Sequence, residues 1–253
     1  KMLNLHPEIK VVGETHFIQT LVTRFGSKKI AFSDFCEIIE EHYSSNGTKK
    51  WAHDHIKAGG FDPNPFYSEF QSFCVNMEQG TIREFVEAFF RFCYGEGAYL
   101  LGDKTPFYGM YMAKILELWP DAKFIHLVRD GRYTATSMQK HKAFVRRINA
   151  GFHEDFDYFL NIEDSYKGML SFYSEKSVSL VNCVQLWKQI ISQIRYESKK
   201  IPSEAYLEVR YEDLIRQPIA QLRRIAKFLD ISLPLSWLAK ACIVPRPFTL
   251  WKQ

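Results

Sequence analysis

A chain of 253 residues with 46% apolar and 15% aromatic residues carries enough hydrophobic surface to bury one substantial core, which excludes an intrinsically disordered protein. Its 33 basic and 29 acidic residues leave a formal charge of +4, a mild excess that suits an anionic ligand and falls well short of a nucleic-acid-binding footprint. The apolar runs are short and interrupted, as in ILELW and SLVNCVQLW, so the sequence predicts no membrane-spanning segment.

The chain opens on KMLNLHPEIKVV, which reads as the end of a helix and a short apolar stretch, and then reaches GETHF. Glu14 stands between KVV and Phe17-Ile18, a setting that desolvates a carboxylate and raises its pKa toward that of a general base. The alternative is a solvated glutamate near a helix N-terminus, where negative charge is favoured. Asn46 heads an Asn-Gly-Thr sequon, but SSNGTKK reads equally as a turn. TIREFVEAFFRFCYG sets Ile82, Phe85, Phe89 and Phe92 at helical spacing, with Gly95 placed to end the helix.

Three apolar segments then read as strands: AYLLG (98–102), KFIHLV (123–128) and AYLEVRY (205–211). After the first, GDKTP offers Lys104 either as a point charge for a developing anion or as an ordinary solvated lysine. After the second, RDGR delivers the Arg129 guanidinium to the strand end, with Gly131 allowing a tight turn. A helix starting near Tyr133 would set Ser137 one turn inside it, within reach of the same anion; the alternative is an Arg129–Asp130 ion pair and a packed Ser137. The segment 141–176 passes from basic to acidic and aromatic with irregular periodicity, and reads as an insertion that forms a lid or substrate wall, or a surface excursion. Its Tyr158, Phe159 and Tyr166 would line an acceptor or simply pack. Helical periodicity returns in KSVSLVNCVQLWKQIISQIRY and in PIAQLRRIAKFLDI, where Pro218 opens the first turn and Leu222, Ile225, Ala226 and Leu229 share a face.

Strand, polar residues, helix, repeated along the chain, is the pattern of an α/β fold whose parallel sheet is flanked by helices, here in one domain over 1–253. In such sheets ligands lie beyond the carboxyl ends of the strands. The five cysteines include no CxxC pair, and the eight histidines show no metal-ligand spacing, so the sequence predicts no metal site. An odd cysteine count favours reduced core thiols and a reducing, cytoplasmic setting; the alternative is a Golgi or membrane-anchored one.

Taken together and in this order, HPEIKVVGETHFI, LLGDKTPFY, KFIHLVRDGRYTATSM and EVRYEDLIRQPIAQLRRIAKFLDI resemble the sulfotransferases, in the branch of protein-tyrosine sulfotransferases and their bacterial relatives. The resemblance implies a P-loop-NTPase-like parallel sheet and a sulfuryl donor, 3'-phosphoadenosine 5'-phosphosulfate (PAPS), with 3'-phosphoadenosine 5'-phosphate (PAP) as product and no metal. It implies that Arg129 and Ser137 hold the 3'-phosphate, that Tyr211 in RYEDL completes that site, that Lys104 stabilises the transferring group, and that Glu14 is the general base. Pro106 stands where the small-molecule branch carries a histidine base, which favours Glu14, while His141 stands where tyrosine-sulfating relatives carry a further arginine. The partner implied is a hydroxyl-bearing acceptor, small molecule, glycan or peptide tyrosine, and not a nucleic acid. The family's first strand and its RSGTT-like phosphate loop have no counterpart in the sequence, so the resemblance leads to the expectation of an N-terminally incomplete domain. The rival readings are a noncatalytic sulfotransferase-like nucleotide-binding module and a nucleotide kinase; the kinase requires a Walker lysine and a magnesium-binding aspartate that the sequence does not place.

Overall fold

The computed structural model describes residues 2–12, 15, 17–44, 66–74, 76–95, 97, 100–154 and 177–243. A 3-10 turn at Leu3–Leu5 leads into strand β1 (Ile9–Val12), so the short apolar stretch before Glu14 is itself a strand. Helix α1 (Phe17–Arg24) follows, then β2 (Lys29–Ala31), α2 (Phe32–Ser44), α3 (Phe66–Phe73), β3 (Gln79–Thr81) and α4 (Ile82–Tyr94). β2 and β3 pair antiparallel, and each runs directly into its helix. Thr81 starts α4 with a reciprocal cap: its hydroxyl accepts from the Glu84 amide, and the Glu84 carboxylate accepts from the Thr81 amide at 2.7 Å. Gly95 ends the helix at φ 81°, donating its N–H to the Arg91 carbonyl.

The aromatic periodicity of α4 explains the first core. Ile82, Phe85 and Phe89 are buried as the spacing predicts, and their neighbours are phenylalanines from three other helices. Phe17 meets Phe35 and Phe89 edge to face at 6.2 and 5.5 Å, Phe35 stacks on Phe85 at 5.3 Å, and Phe70 meets Phe89 at 90°. Such pairs contribute roughly 0.5–1.5 kcal/mol each beyond area burial.

Strand β4 (Leu100–Asp103) pairs in parallel with β1, in the register Ile9 to Leu100 and Val12 to Asp103. It runs one residue beyond the Gly102 end expected from sequence, so that Asp103 closes the strand and Lys104 follows it. A 3-10 turn at Pro106–Met110 leads to α5 (Met112–Leu118) and then to β5 (Phe124–Val128). Helix α6 (Gly131–Met138) starts two residues before the Tyr133 expected from sequence, because the Asp130 carboxylate caps it by accepting from the Arg132 amide at 2.9 Å. The basic half of the expected insertion forms helix α7 (Lys142–Asn149), with turns to residue 154; Tyr158, Phe159 and Tyr166 lie outside the described residues, as does Asn46.

Helix α8 (Leu180–Ser198) is capped by Ser179 and lies across both strand-end turns. A Cβ on Gly131 would stand 2.7 Å from the Trp187 ring, and one on Gly109 would stand 3.0 Å from Ile194. Trp187 and Ile194 are seven residues apart and share one helical face. Gly131, expected to serve a tight turn, therefore serves close packing, for its φ is not in the left-handed region.

β6 (Tyr206–Arg210) pairs in parallel with β5, with Val128 opposite Arg210. Helix α9 (Tyr211–Arg216) follows at once, then α10 (Pro218–Leu229) and α11 (Leu235–Ile243). Leu222, Ile225 and Ala226 are buried as their spacing predicts, and Asp230 ends α10 in the left-handed region at φ 57°. Trp237 of α11 is fully buried, donates its indole N–H to the Met2 carbonyl at 2.8 Å and packs edge-on against His6, which joins the two ends of the described chain. All five cysteines are free; Cys74, Cys93 and Cys183 are buried, and burial pushes the Cys93 thiol up to about 12. No described helix is long and apolar enough to cross a membrane.

Gly131→Ala is expected to destabilise the protein by about 1–3 kcal/mol, the usual cost of overpacking a filled contact. Urea unfolding measures this directly, and a loss within error of zero would mean that α8 can move away without cost.

Candidate active site

Both parallel strand pairs carry functional-looking residues at their carboxyl ends. At the end of β5, Arg129 lies with its guanidinium carbon 5.7 Å from the centre of the Tyr133 ring and 5.2 Å from that of Tyr211. Those aromatic faces hold the side chain where it is delivered by the strand. The Asp130 amide donates to Glu212 Oε1 at 3.0 Å, which ties the turn after β5 to the start of α9. Arg129 and Tyr211, 82 residues apart in sequence, are thereby brought together.

The second arginine of RDGR has a different task. Arg132 is 86% exposed and grips Asp130 through Nε at 3.0 Å and Nη2 at 2.7 Å, which holds the Asp130 carboxyl down at about 2. Asp130 is thus engaged by Arg132 and by the helix cap. The Tyr211 hydroxyl is buried and has no hydrogen-bond partner among the described residues. A buried hydroxyl left without a partner costs about 1–3 kcal/mol unless a ligand or water meets it. Together with the guanidinium beside it, it fits an oxyanion such as a phosphate.

Ser137 is exposed and sits in the last turn of α6, nearly two turns in rather than one. It lies four residues beyond Tyr133 and so on the same face of the helix. The surface that carries Arg129 and Tyr133 therefore continues to Ser137.

The β1–β4 end holds the second cluster. Lys104 is exposed immediately after β4, and Glu14 lies outside the described residues. Beside Lys104 is a network that sequence reasoning missed. Asp103 Oδ1 accepts from the Thr105 hydroxyl at 2.6 Å, and Oδ2 accepts from the Thr15 hydroxyl. Thr15 Oγ1 also contacts the Tyr108 hydroxyl at 2.8 Å, which accepts from the Ile18 amide at 3.1 Å. The Thr15 amide donates to Thr105 Oγ1 at 3.0 Å. Thr15, Thr105 and Tyr108 are all buried. Desolvation outweighs these hydrogen bonds and raises the Asp103 carboxyl to about 7. The signal was present in GDKTPFY, where an acidic residue ends an apolar strand just before a threonine and a tyrosine.

A further network fastens α8 to the β5–β6 pair. His126 Nδ1 meets the Tyr206 hydroxyl at 2.6 Å, that hydroxyl reaches Glu208 at 3.2 Å, and Arg195 of α8 grips Glu208 through Nε at 2.9 Å and Nη2 at 2.7 Å. Burial lowers the His126 pKa against the opposing pull of Glu208, so the ring stays neutral to lower pH than a free histidine. Among the described residues no three His, Cys, Asp or Glu side chains cluster as a metal site.

Residues 1–234 match the model of the sulfotransferase family. The chain belongs to that family. It is 29% identical over 162 residues to the protein-tyrosine sulfotransferase of Drosophila melanogaster, covering 61% of this chain and 27% of that protein. It is 24% identical over 230 residues to protein-tyrosine sulfotransferase A of Caenorhabditis elegans, covering 91% of this chain and 45% of that one. A bacterial relative, the omega-hydroxy-beta-dihydromenaquinone-9 sulfotransferase Stf3 of Mycobacterium tuberculosis, is 31% identical over 129 residues, 51% of this chain and 28% of its own. The chain thus spans less than half the length of these curated sulfotransferases. In three dimensions it resembles the sulfotransferase domain of the Synechococcus PCC 7002 olefin synthase with a TM-score of 0.57 and 18% identity, covering all of this chain and 76% of that one. The expected α/β sulfotransferase fold, in the branch that includes the tyrosine enzymes, is therefore what the chain has.

Because Asp103 binds its proton more tightly folded than unfolded, its contribution to stability falls as pH rises from about 4 to about 7 and is constant above that. Asp103→Asn is expected to remove this slope, so the difference in melting temperature between variant and wild type should change across that interval and level off above it. A pH-independent difference would show that Asp103 is not titrating there.

Proposed function

We propose that the protein transfers the sulfuryl group of 3'-phosphoadenosine 5'-phosphosulfate to an acceptor hydroxyl. The observation that carries this reading is the Arg129 guanidinium against Tyr133 and Tyr211, with the buried Tyr211 hydroxyl, which has no hydrogen-bond partner among the described residues, beside it at the carboxyl end of a parallel strand pair. A guanidinium fork and a hydroxyl donor suit the doubly charged 3'-phosphate that distinguishes this donor from an ordinary adenine nucleotide. Ser137, on the same helical face as Tyr133, would extend the set of donors toward that phosphate.

Transfer then follows from charge. Glu14 accepts the proton of the acceptor hydroxyl as its oxygen attacks sulfur; the bond between sulfur and the bridging oxygen of the 5'-phosphate breaks, and the nucleotide leaves as PAP. Lys104, exposed at the end of β4, meets the negative charge that gathers on the bridging and nonbridging oxygens. Positioning and electrostatics dominate such a step, by analogy with phosphoryl transfer. The acceptor is a hydroxyl of a small molecule, a glycan or a peptide tyrosine; the names of the relatives include a protein-tyrosine enzyme and one for a hydroxylated menaquinone.

Calorimetric titration of PAP, with adenosine 5'-phosphate as control, tests the donor. Binding that depends on the 3'-phosphate is expected. Arg129→Ala should weaken it by about 10- to 100-fold, the loss of charge-assisted hydrogen bonds of about 1.5–3 kcal/mol. Unchanged affinity in that variant would remove Arg129 from the phosphate site. Glu14→Gln should lower kcat by about 10²- to 10⁴-fold at unchanged PAP affinity, as expected for loss of a general base; retained turnover would assign the base elsewhere. PAP binding without any turnover would favour a noncatalytic nucleotide-binding module.

A further inference from the structure

The Asp103 network has a fixed direction when its carboxylate is ionised. Backbone amides only donate, a carboxylate only accepts, and each hydroxyl has one proton. Ile18 N–H therefore donates to Tyr108, Tyr108 to Thr15 Oγ1, and Thr15 to Asp103 Oδ2, while Thr15 N–H donates to Thr105 Oγ1 and Thr105 to Asp103 Oδ1. Both branches end on one carboxylate.

Every bond in the two branches crosses between, or fixes, two segments that are about ninety residues apart in sequence: 15–18 and 103–108. Thr15 is the residue next to Glu14, and Asp103 and Thr105 flank Lys104. Thr15 contributes both its backbone amide and its hydroxyl, so its position is set twice. Tyr108 holds the first turn of α1 through the Ile18 amide, and Gly109, next to it, lies against Ile194 of α8. The strand register alone brings Val12 opposite Asp103, but it places no residue beyond β1.

We infer that Asp103 is a positioning residue for sulfuryl transfer: it clamps Thr15, the residue that follows Glu14 in the sequence, to the turn that carries Lys104, and turnover depends on that clamp. This rests on the function proposed above. Asp103 acts through Thr15 and Thr105, from whose hydroxyls its two oxygens accept.

Three variants of the whole protein test it: Asp103→Asn, Thr105→Val and the conservative Thr105→Ser. Two readouts are combined, namely amide hydrogen exchange at Thr15 and Ile18, which needs no turnover, and steady-state kcat set beside PAP affinity by calorimetry. Exchange at both amides is expected to accelerate in Asp103→Asn and Thr105→Val and to return toward wild type in Thr105→Ser. In the first two, kcat should fall by about 10- to 100-fold, the scale of an ångström-level misplacement, with PAP affinity within twofold of wild type, since Arg129 and Tyr211 stand on the other strand pair. Exchange that stays slow in Asp103→Asn and Thr105→Val overturns the clamp. Fast exchange with unchanged kcat, or kcat and PAP affinity lost in equal proportion, overturns the positioning role. A wild-type protein that neither binds PAP nor transfers sulfuryl overturns the proposed function instead, and the exchange data then decide the clamp on their own.

Discussion

The depth to which one helix can settle governs the arrangement of everything else. α8 reaches both strand-end turns because two side chains are missing beneath it, at Gly109 under Ile194 and at Gly131 under Trp187. Interiors are packed near crystal density, so even a methyl group at either point would displace the helix or the turn. One turn follows β4 and the other follows β5, two strands that belong to different hydrogen-bonded pairs. A rigid helix of 19 residues, resting on both, sets the distance between clusters that no backbone ladder among the described residues connects. The Arg195–Glu208 grip, one residue beyond Ile194, ties the same part of α8 to β6.

Charge is apportioned as strictly as volume. Of the two arginines in RDGR, Arg132 neutralises the helix-capping Asp130 at the surface, while Arg129 lies against the aromatic faces of Tyr133 and Tyr211. The same division appears around β4. Both oxygens of Asp103 accept from neutral hydroxyls, those of Thr15 and Thr105, while Lys104 next to it is exposed. Burial of that carboxylate outweighs its hydrogen bonds and the charge of Lys104 and raises its pKa to about 7, so the group becomes sensitive to pH near neutrality.

Most elements were legible before the structure. Helix periodicity found α4, α8 and α10 because their apolar residues recur at three and four, and the parallel strands stood out as short apolar runs ending in polar residues. The boundaries were less secure: β4 gained Asp103, and α6 began at Gly131, because a carboxylate cap is a local bond that apolar periodicity does not register. The basic half of the segment 141–176 turned out to be a helix, α7, whose buried Arg147 lies over Phe107 and Phe144; a cation buried against rings breaks the apolar pattern that sequence reasoning counts.

At the candidate site, the sequence by itself determined which residue types stand at strand ends: Lys104 after one strand, Arg129 after the next, Tyr211 after the third. It also determined family membership, since the order and spacing of those motifs are properties of the chain. The tertiary structure alone decided which of them meet. Arg129 joins Tyr211 because β5 and β6 are parallel and in register at Val128 and Arg210, and Asp103 joins Thr15 because β1 and β4 are parallel and end together. Those pairings link residues 82 and 88 positions apart, a separation over which no local propensity or spacing carries information, and only the hydrogen-bonded ladders fix them.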